Sequence, residues 1–242
     1  MPPRTTARAE QSLWPPGSLL AGLSEPARQR LLALGAKSQY ADSGRVLIRE
    51  GDGSTVVFLL LAGTVKVTGA TDDGDALLTI RVGGEVVGEL AALDGRPRLA
   101  TVTTAGPVIA RVIGRGEFSG LLTRDPELAV AVTRNVAGKL RSATSRWIDF
   151  AGCDVTTRLA RVLLDLATRY GEQADAGLTI GCPLTQTELA TLIGAGEPTV
   201  QRTLRQLRAD GIISTGYRET AIIDMARLRE YAFPNTGPLT RG

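Results

Sequence analysis

The segment Gly83–Thr101, which reads GGEVVGELAALDGRPRLAT, has residue types suited to binding a phosphate. A short helical stretch begins after Gly88, and the N–H groups at the start of a helix attract anions. Arg98 follows ten residues after Gly88, and its guanidinium can make a bidentate, charge-assisted contact with a phosphate. The carboxylate of Glu89 accepts hydrogen bonds and suits a ribose hydroxyl. Taken alone, the pattern is equally typical of a barrel turn with a surface Glu–Arg pair.

A second segment, Gln186–Leu204, reads QTELATLIGAGEPTVQRTL and has the pattern of a helix-turn-helix. Gly194 stands at the turn, where a positive φ angle costs little only for glycine. Pro198 suits the first turn of the second helix, because its missing N–H needs no partner there. An ordinary pair of packed helices is the alternative, but two β-rich runs follow, Ile212–Ser214 and Thr220–Ile223, as in a wing. The segment therefore predicts a winged helix-turn-helix that binds DNA.

Basic residues lie along the second helix of this motif. Arg202, Arg205 and Arg208 recur at intervals of three residues and therefore share a face. In protein–DNA complexes, Arg side chains and helix N-termini contact phosphates, whereas contacts to base edges supply specificity. The residues predicted to contact DNA are Thr185, Glu197, Thr199, Gln201, Arg202 and Arg205.

The phosphate-binding segment must be positioned by a surrounding β-structure. The chain between about Tyr40 and Val112 has the composition of such a structure. Short β-rich runs alternate there with Gly-bearing turns, which is typical of an antiparallel barrel or sandwich. A short helix with Ser24 as its N-cap precedes this region. The predicted strands are Arg45–Arg49, Val56–Leu61, Thr64–Thr68, Leu77–Val82, Ala100–Thr104 and Val108–Ile113.

A long helix is predicted over Asp125–Phe150, ended by Gly152–Cys153–Asp154, and a further helix over Val155–Tyr170. The long helix carries a stripe at alternating intervals of four and three residues, the seam of a coiled coil: Ala129, Thr133, Val136, Leu140, Ala143, Trp147 and Phe150. Packing on its own barrel is one explanation of the stripe. Its length and small residues favour pairing with a second copy across a two-fold axis. The predicted interface residues are Val136, Leu140, Ala143, Trp147 and Phe150.

The composition excludes several classes of function. The 242 residues include no His and only two Cys, Cys153 and Cys182, which excludes His-based catalysis, His-ligated zinc or haem, and a four-cysteine iron–sulfur cluster. The chain has no P-loop and no paired acidic metal site. We therefore predict no enzyme activity and no metal, haem or iron–sulfur cofactor. No apolar run approaches the ~20 residues of a membrane helix and no signal core begins the chain, so we expect a cytoplasmic protein without a membrane partner.

Two patterns together carry a family resemblance. The residues Gly88-Glu89-Leu90-Ala91 and Pro97-Arg98-Leu99-Ala100-Thr101 resemble the phosphate-binding cassette of cyclic-nucleotide-binding domains. The order of barrel, cassette, long helix and winged helix-turn-helix, over about residues 18–225, resembles the cyclic AMP receptor protein and fumarate–nitrate regulator (Crp/Fnr) family of bacterial transcription regulators. The resemblance implies that Glu89 holds the ribose 2′-hydroxyl, and that Arg98 and the backbone of Leu99 bind the cyclic phosphate. The other implied ligand contacts are Gly88, Leu90, Ala91 and Thr144.

The sequence departs from the family at three places. Leu99 replaces a Ser next to the Arg, and Ala143 removes one of the two hydroxyls with which the cyclic AMP receptor protein reads the purine. On the recognition helix, Glu197 and Pro198 stand where the best-known members carry Arg and Glu, the residues that read guanine and cytosine. The change on the recognition helix predicts a different operator. Leu99 and Ala143 leave open an alternative regulator of the same fold, which binds another nucleotide or metabolite or acts without a ligand.

The predicted fold class is α+β, and the implied function is a homodimeric DNA-binding transcription regulator controlled by a cyclic nucleotide, cyclic AMP. Its implied partners are double-stranded DNA with a pseudo-palindromic operator, a second copy of the chain, and RNA polymerase. The predicted divisions are a flexible tail at 1–17, a cyclic-nucleotide-binding barrel (jelly roll) at 18–124, a dimerisation helix at 125–151, a winged helix-turn-helix domain at 152–230, and a tail at 231–242.

Overall fold

The structure is a computed structural model that describes residues 14–174, 177–216 and 219–234. The elements up to the long helix are α1 (Glu25–Leu32), β1 (Ala36–Tyr40), β2 (Val46–Ile48), β3 (Val57–Ala62), β4 (Thr64–Thr71), β5 (Gly74–Val82), β6 (Val86–Val87), α2 (Glu89–Asp94), β7 (Thr101–Thr104), β8 (Val108–Ile113), α3 (Arg115–Arg124) and α4 (Pro126–Gly152). The later elements are α5 (Val155–Tyr170), β9 (Gly171–Ala174), β10 (Gly177–Ile180), α6 (Gln186–Ile193), α7 (Glu197–Ala209), β11 (Ile213–Gly216), β12 (Glu219–Ile222) and α8 (Met225–Ala232).

The N-terminal half is a jelly-roll β-sandwich. Two four-stranded antiparallel sheets have the orders β1-β8-β3-β6 and β2-β7-β4-β5. Side chains alternate between the faces of a strand, so the inward residues of both sheets, such as Phe58, Val65 and Val102, form a shared core. The predicted fold class is confirmed, with the barrel taking the form of two facing sheets.

Local signals located most of the predicted helices correctly. The Ser24 hydroxyl accepts from the Ala27 N–H at the start of α1, and the Asp125 carboxylate accepts from the Leu128 N–H at the start of α4. Helix α5 begins after the Asp154 cap, as predicted. The strands β1, β6, β9 and β10 and the helices α3 and α8 were not predicted.

Each predicted tail includes residues that the structure places in the folded part of the chain. Trp14 is only 9% exposed, its Nε1 donates to the Leu61 carbonyl at 2.9 Å, and Arg28 lies over its ring. The expectation of a flexible tail over residues 1–17 was therefore wrong from Trp14 onward, because an indole buries a large apolar area; residues 1–13 lie outside the described ranges. The tail expected from residue 231 was also wrong at its start. Tyr231 belongs to α8 and donates to the Asp210 carboxylate at 2.8 Å, whereas residues 235–242 are not described.

The helix-turn-helix region docks on the sandwich through α6 and β5. Leu77 and Ile80 of β5 belong to the same buried cluster as the core of α5, α6 and α7. The Lys66 ammonium lies 2.6 Å from the Glu188 carboxylate, and the Leu77 N–H donates to the Thr191 hydroxyl at 3.0 Å. We call this set of contacts the interdomain contact. It fixes the position of α6 against the sandwich.

Candidate functional site

A cavity of about 420 Å³ lies between the β-sandwich, α2 and the middle of α4. Six of the seven residues predicted to bind a ligand line it: Gly88, Glu89, Leu90, Ala91, Arg98 and Leu99. The seventh, Thr144, is exposed on α4 and does not line the cavity of its own chain. In the described part of the chain, no group of three His, Cys, Asp or Glu side chains is placed to hold a metal ion, and no helix there is long and apolar enough to cross a membrane.

The Arg98 side chain is held at the base of this cavity. It is 4% exposed, and its guanidinium donates to the carbonyl oxygens of Gly88 at 2.8 Å and Val56 at 2.6 Å and to the Ser54 hydroxyl at 3.2 Å. A guanidinium has five N–H groups, so two have no partner among these three bonds and could donate to an anion. Burial lowers the pKa of Arg98, while the charges of Asp52 and Glu89 act in the opposite direction. A bound phosphate would replace hydration that this cation has lost.

Gly88 makes the close approach of Arg98 possible. Its φ of 80° lies in the left-handed region, which a residue with a Cβ adopts at a cost. A Cβ at this position would lie 2.7 Å from Arg98 Nη1 and 2.7 Å from Ile48 Cδ1. Glycine is therefore required here by both backbone conformation and space.

A lysine that was not predicted reaches the site from α4. The Lys139 ammonium lies 2.8 Å from Glu89 Oε1 and donates to the Val86 carbonyl at 2.6 Å. Burial lowers the pKa of Lys139, and the Glu89 carboxylate opposes that shift. The pair orients the Glu89 carboxylate. The only available signal in the sequence was a lysine one residue before the stripe position Leu140.

The wall that α4 contributes to the cavity is mainly apolar. Val136, Leu140 and Ala143 line it from α4, and Leu78 faces them from β5. Leu99 is at the mouth of the cavity, where its side chain is 74% exposed. A ligand would therefore meet charged groups at Glu89, Arg98 and Lys139 and an apolar surface along α4. Two further arginines, Arg81 and Arg146, also line the cavity.

The same stretch of α4 presents large apolar side chains to solvent. Leu140 is 67% exposed and Trp147 is 76% exposed, and Ala143 between them is exposed as well. Val136, one turn earlier, is half-buried. Phe150 differs from the others, because its ring lies beside Gly194 in the turn of the helix-turn-helix and under the Arg158 guanidinium. Four of the five predicted interface residues thus form one strip, and Phe150 also packs within its own chain.

Helices α6 and α7 have the geometry of a helix-turn-helix. Gly194 ends α6 with φ 59° and ψ 53°, as the predicted turn required. The Thr185 hydroxyl accepts from the Glu188 N–H, and the Glu188 carboxylate accepts from the Thr185 N–H, which is a capping box. The Thr185 hydroxyl thus already takes part in the cap of α6.

The remaining residues predicted to contact DNA lie on α7. Gln201, Arg202 and Arg205 are exposed along one side of it, and Thr199 is half-buried. The Glu197 carboxylate accepts from the hydroxyl of Thr187 at 2.8 Å, so it connects the two helices. Arg208 donates to the Thr215 hydroxyl at 3.1 Å, which ties α7 to the wing strand β11.

Comparisons with known proteins agree with this architecture. Residues 39–125 match the family described as a cyclic nucleotide-binding domain, and residues 157–231 match the Crp-like helix-turn-helix domain. The chain is similar to the CRP-like cAMP-activated global transcriptional regulator of Mycobacterium tuberculosis, with 32% identity over 190 residues, which cover 78% of this chain and 85% of the relative. It is 26% identical over 184 residues to the cAMP-activated global transcriptional regulator CRP of Haemophilus influenzae, covering 75% and 81%.

Solved structures share the fold. The c-di-GMP responsive global regulator CLP of Xanthomonas campestris aligns with a TM-score of 0.70 at 23% identity, over 83% of this chain and 100% of that one. FixK2 of Bradyrhizobium japonicum aligns with a TM-score of 0.70 at 20% identity, over 82% and 97%.

Proposed function

The chain belongs to the Crp/Fnr family of bacterial transcription regulators, and from this premise we propose that it is a homodimer whose affinity for DNA is controlled by cyclic AMP. Its cyclic-nucleotide-binding domain and Crp-like helix-turn-helix make it a DNA-binding regulator and not an enzyme. The cavity beside Arg98 and Glu89 is the proposed effector site.

The observation that carries this proposal is the buried Arg98 guanidinium, which keeps two N–H groups for an anion at the base of the cavity. A cyclic phosphate there would place its fused ribose toward Glu89, whose Oε1 is held by Lys139. Glu89 Oε2 can then accept from the 2′-hydroxyl. The purine would lie along the apolar wall of Val136, Leu140 and Ala143.

Dimerisation supplies the DNA-binding geometry in this proposal. Pairing of two α4 helices would cover Leu140 and Trp147 and bring Thr144 near the partner's cavity. Two α7 helices related by the two-fold axis would then enter successive major grooves of a pseudo-palindrome, about 34 Å apart. RNA polymerase is the proposed further partner of the DNA-bound dimer.

A second candidate is a regulator of the same fold with a different effector. Ala143 offers no hydroxyl to a purine, and Leu99 exposes an apolar side chain at the cavity mouth. Both observations favour a ligand with more apolar surface than cyclic AMP, or one that a partner chain helps to enclose.

Calorimetric titration with cyclic AMP, cyclic GMP, c-di-GMP and AMP tests the proposed effector. We expect the cyclic mononucleotides to bind more tightly than c-di-GMP and AMP, because Arg98 and Glu89 match a phosphate fused to a ribose. We expect cyclic AMP to bind more tightly than cyclic GMP, because guanine would place more polar groups against the apolar wall of α4. Duplexes selected from a random library should then bind the protein more tightly when cyclic AMP is present. Tighter binding of another nucleotide supports the second candidate, and no binding of any of them contradicts a nucleotide effector for the cavity.

Arg202 and Arg205 should have separable roles on DNA. Arg202 is one turn into α7 and can reach guanine O6 and N7, so Arg202→Ala should cost ~1–3 kcal/mol on the preferred site and relax one base pair per half-site. Arg205 is one turn further, where backbone phosphate is the expected partner. Arg205→Ala should weaken binding to all duplexes alike and reduce the salt dependence by about one unit of slope.

Titrations at several salt concentrations, on the selected site and on a random duplex, measure both effects. Arg205→Ala is the matched control for Arg202→Ala, because each removes one exposed guanidinium from α7. If Arg202→Ala lowers affinity equally for the two duplexes, Arg202 does not read a base.

A further inference from the structure

A second crevice, of about 270 Å³, lies between β5, α4 and α5. Its α4 lining consists of Arg141, Ser142, Ser145, Arg146 and Asp149, none of which belongs to the apolar stripe. Pairing of two copies through the stripe alone would leave these side chains uncovered. The crevice adjoins the cavity beside Glu89 and Arg98, and Thr79, Arg81 and Arg146 line both spaces, whereas Arg141, Arg161 and Arg169 line the crevice but not the cavity.

Positive charge is concentrated around this crevice. Its lining contains five arginines against two carboxylates: Arg81, Arg141, Arg146, Arg161 and Arg169, with Asp149 and Asp165. Each carboxylate pairs with an arginine of α5, Asp149 with Arg161 and Asp165 with Arg169.

The other arginines of the crevice are less well compensated. Arg81 lies 3.6 Å from Glu85, outside the lining. Within the part of the chain that the structure describes, no carboxylate lies within 4.0 Å of Arg141 or Arg146. The half-buried Arg146 donates to the Leu78 carbonyl at 2.5 Å. Its pKa is lowered by burial and by the nearby charge of Arg81, while the charge of Asp165 acts in the opposite direction.

We propose that this crevice binds a phosphate-bearing anion at a site that adjoins the effector cavity but has Arg141, Arg161 and Arg169 as its own residues. Guanidinium groups form forked contacts that match phosphate oxygens, and several of them at one site favour a multiply charged ligand. The Ser145 hydroxyl, exposed at the same site, adds a neutral donor. The ligand would replace the missing carboxylate partners of Arg141 and Arg146.

The position of the site predicts a regulatory effect. Arg141 and Arg146 belong to α4, whereas Arg161 and Arg169 belong to α5, so a bound anion would bridge these two helices across the Cys153–Asp154 connection. It would thereby strengthen the interdomain contact. Cys182 reports on that contact, because it is 3% exposed in the same buried cluster as Leu77 and Ile80. Burial raises the pKa of its thiol to about 11, so a thiol reagent reacts with it only after the cluster opens.

The test uses inorganic pyrophosphate as the probe and Arg98→Ala as the background, which weakens anion binding in the effector cavity. Calorimetry should detect saturable binding of one pyrophosphate per chain. The double variant Arg141→Gln, Arg169→Gln should bind it at least about tenfold more weakly, equivalent to ~1.4 kcal/mol. The matched control is Arg115→Gln, Arg124→Gln, which removes two exposed charges from α3 and should bind pyrophosphate as the background does.

A thiol measurement tests the bridging role. In Cys153→Ser protein, pyrophosphate should slow the reaction of Cys182 with a disulfide reagent, and the double variant should abolish this protection. Absence of saturable pyrophosphate binding, or an equal loss of affinity in the α3 control, would contradict the proposed site. If saturating pyrophosphate leaves the reaction rate of Cys182 unchanged, the bridging role is wrong. Cyclic AMP binding to the unmodified chain is independent of all these outcomes, so the proposed effector function stands or falls separately.

Discussion

Replacement of Arg98 by alanine should reduce the affinity for cyclic AMP by about a hundredfold. Charge-assisted hydrogen bonds from a buried guanidinium to an anion contribute ~2–3 kcal/mol, and the two N–H groups that Arg98 keeps for the cavity would be lost together. Calorimetric titration of the purified variant measures the effect.

Two comparisons separate a ligand contact from a structural role. Arg98 also donates to the Gly88 and Val56 carbonyls, so its loss also reduces the stability of this region. Adenosine, which has no phosphate, provides the internal reference: Arg98→Ala should change its affinity far less than that of cyclic AMP. Arg96→Ala, which removes an exposed arginine two residues away, should leave both affinities unchanged. A parallel loss for both ligands would contradict the phosphate contact.

Leu140→Asp should convert the dimer to monomers and abolish operator binding. Leu140 is 67% exposed in the single chain and lies in the middle of the stripe, so pairing of two α4 helices would bury two carboxylates against each other. Burying one uncompensated charge costs ~3–5 kcal/mol, which corresponds to a more than hundredfold weaker dimer. Sedimentation velocity at micromolar concentration measures the oligomeric state.

The control for this substitution is Arg134→Asp. Arg134 is exposed on the same helix but lies outside the stripe, so the same side chain introduced there should leave the dimer intact. If Leu140→Asp remains dimeric, the stripe packs elsewhere and the proposed dimer interface is wrong.

Local signals in the sequence were sufficient for those parts of the fold that depend on neighbouring residues. The caps Ser24 and Asp125 and the turn glycine Gly194 act within a few residues of the chain. β1 was missed because its sequence, AKSQY, has mostly exposed or half-exposed positions and shows no apolar alternation. Helix α3 was missed because Gly116 and Gly120 weaken its helical pattern.

Local sequence patterns could not predict the contacts between distant parts of the chain. Lys139 meets Glu89 across 50 positions, and only the folded position of α4 over the cavity brings the two together. Lys66 and Glu188 are 122 positions apart, so neither residue type nor spacing indicated the interdomain contact. The grouping of the cassette residues was predictable because the short segment from Gly88 to Arg98 carries its own chemistry.

Leu140 lines the effector cavity and also belongs to the exposed strip of α4. One side chain therefore takes part in both of the proposed equilibria, effector binding and self-association, and thermodynamic linkage requires their coupling to be reciprocal. If the effector strengthens the dimer by a given factor, dimer formation strengthens effector binding by the same factor. The half-saturating effector concentration should then fall as the amount of regulator per cell rises. The abundance of the regulator would thus set the sensitivity of the genes that it controls.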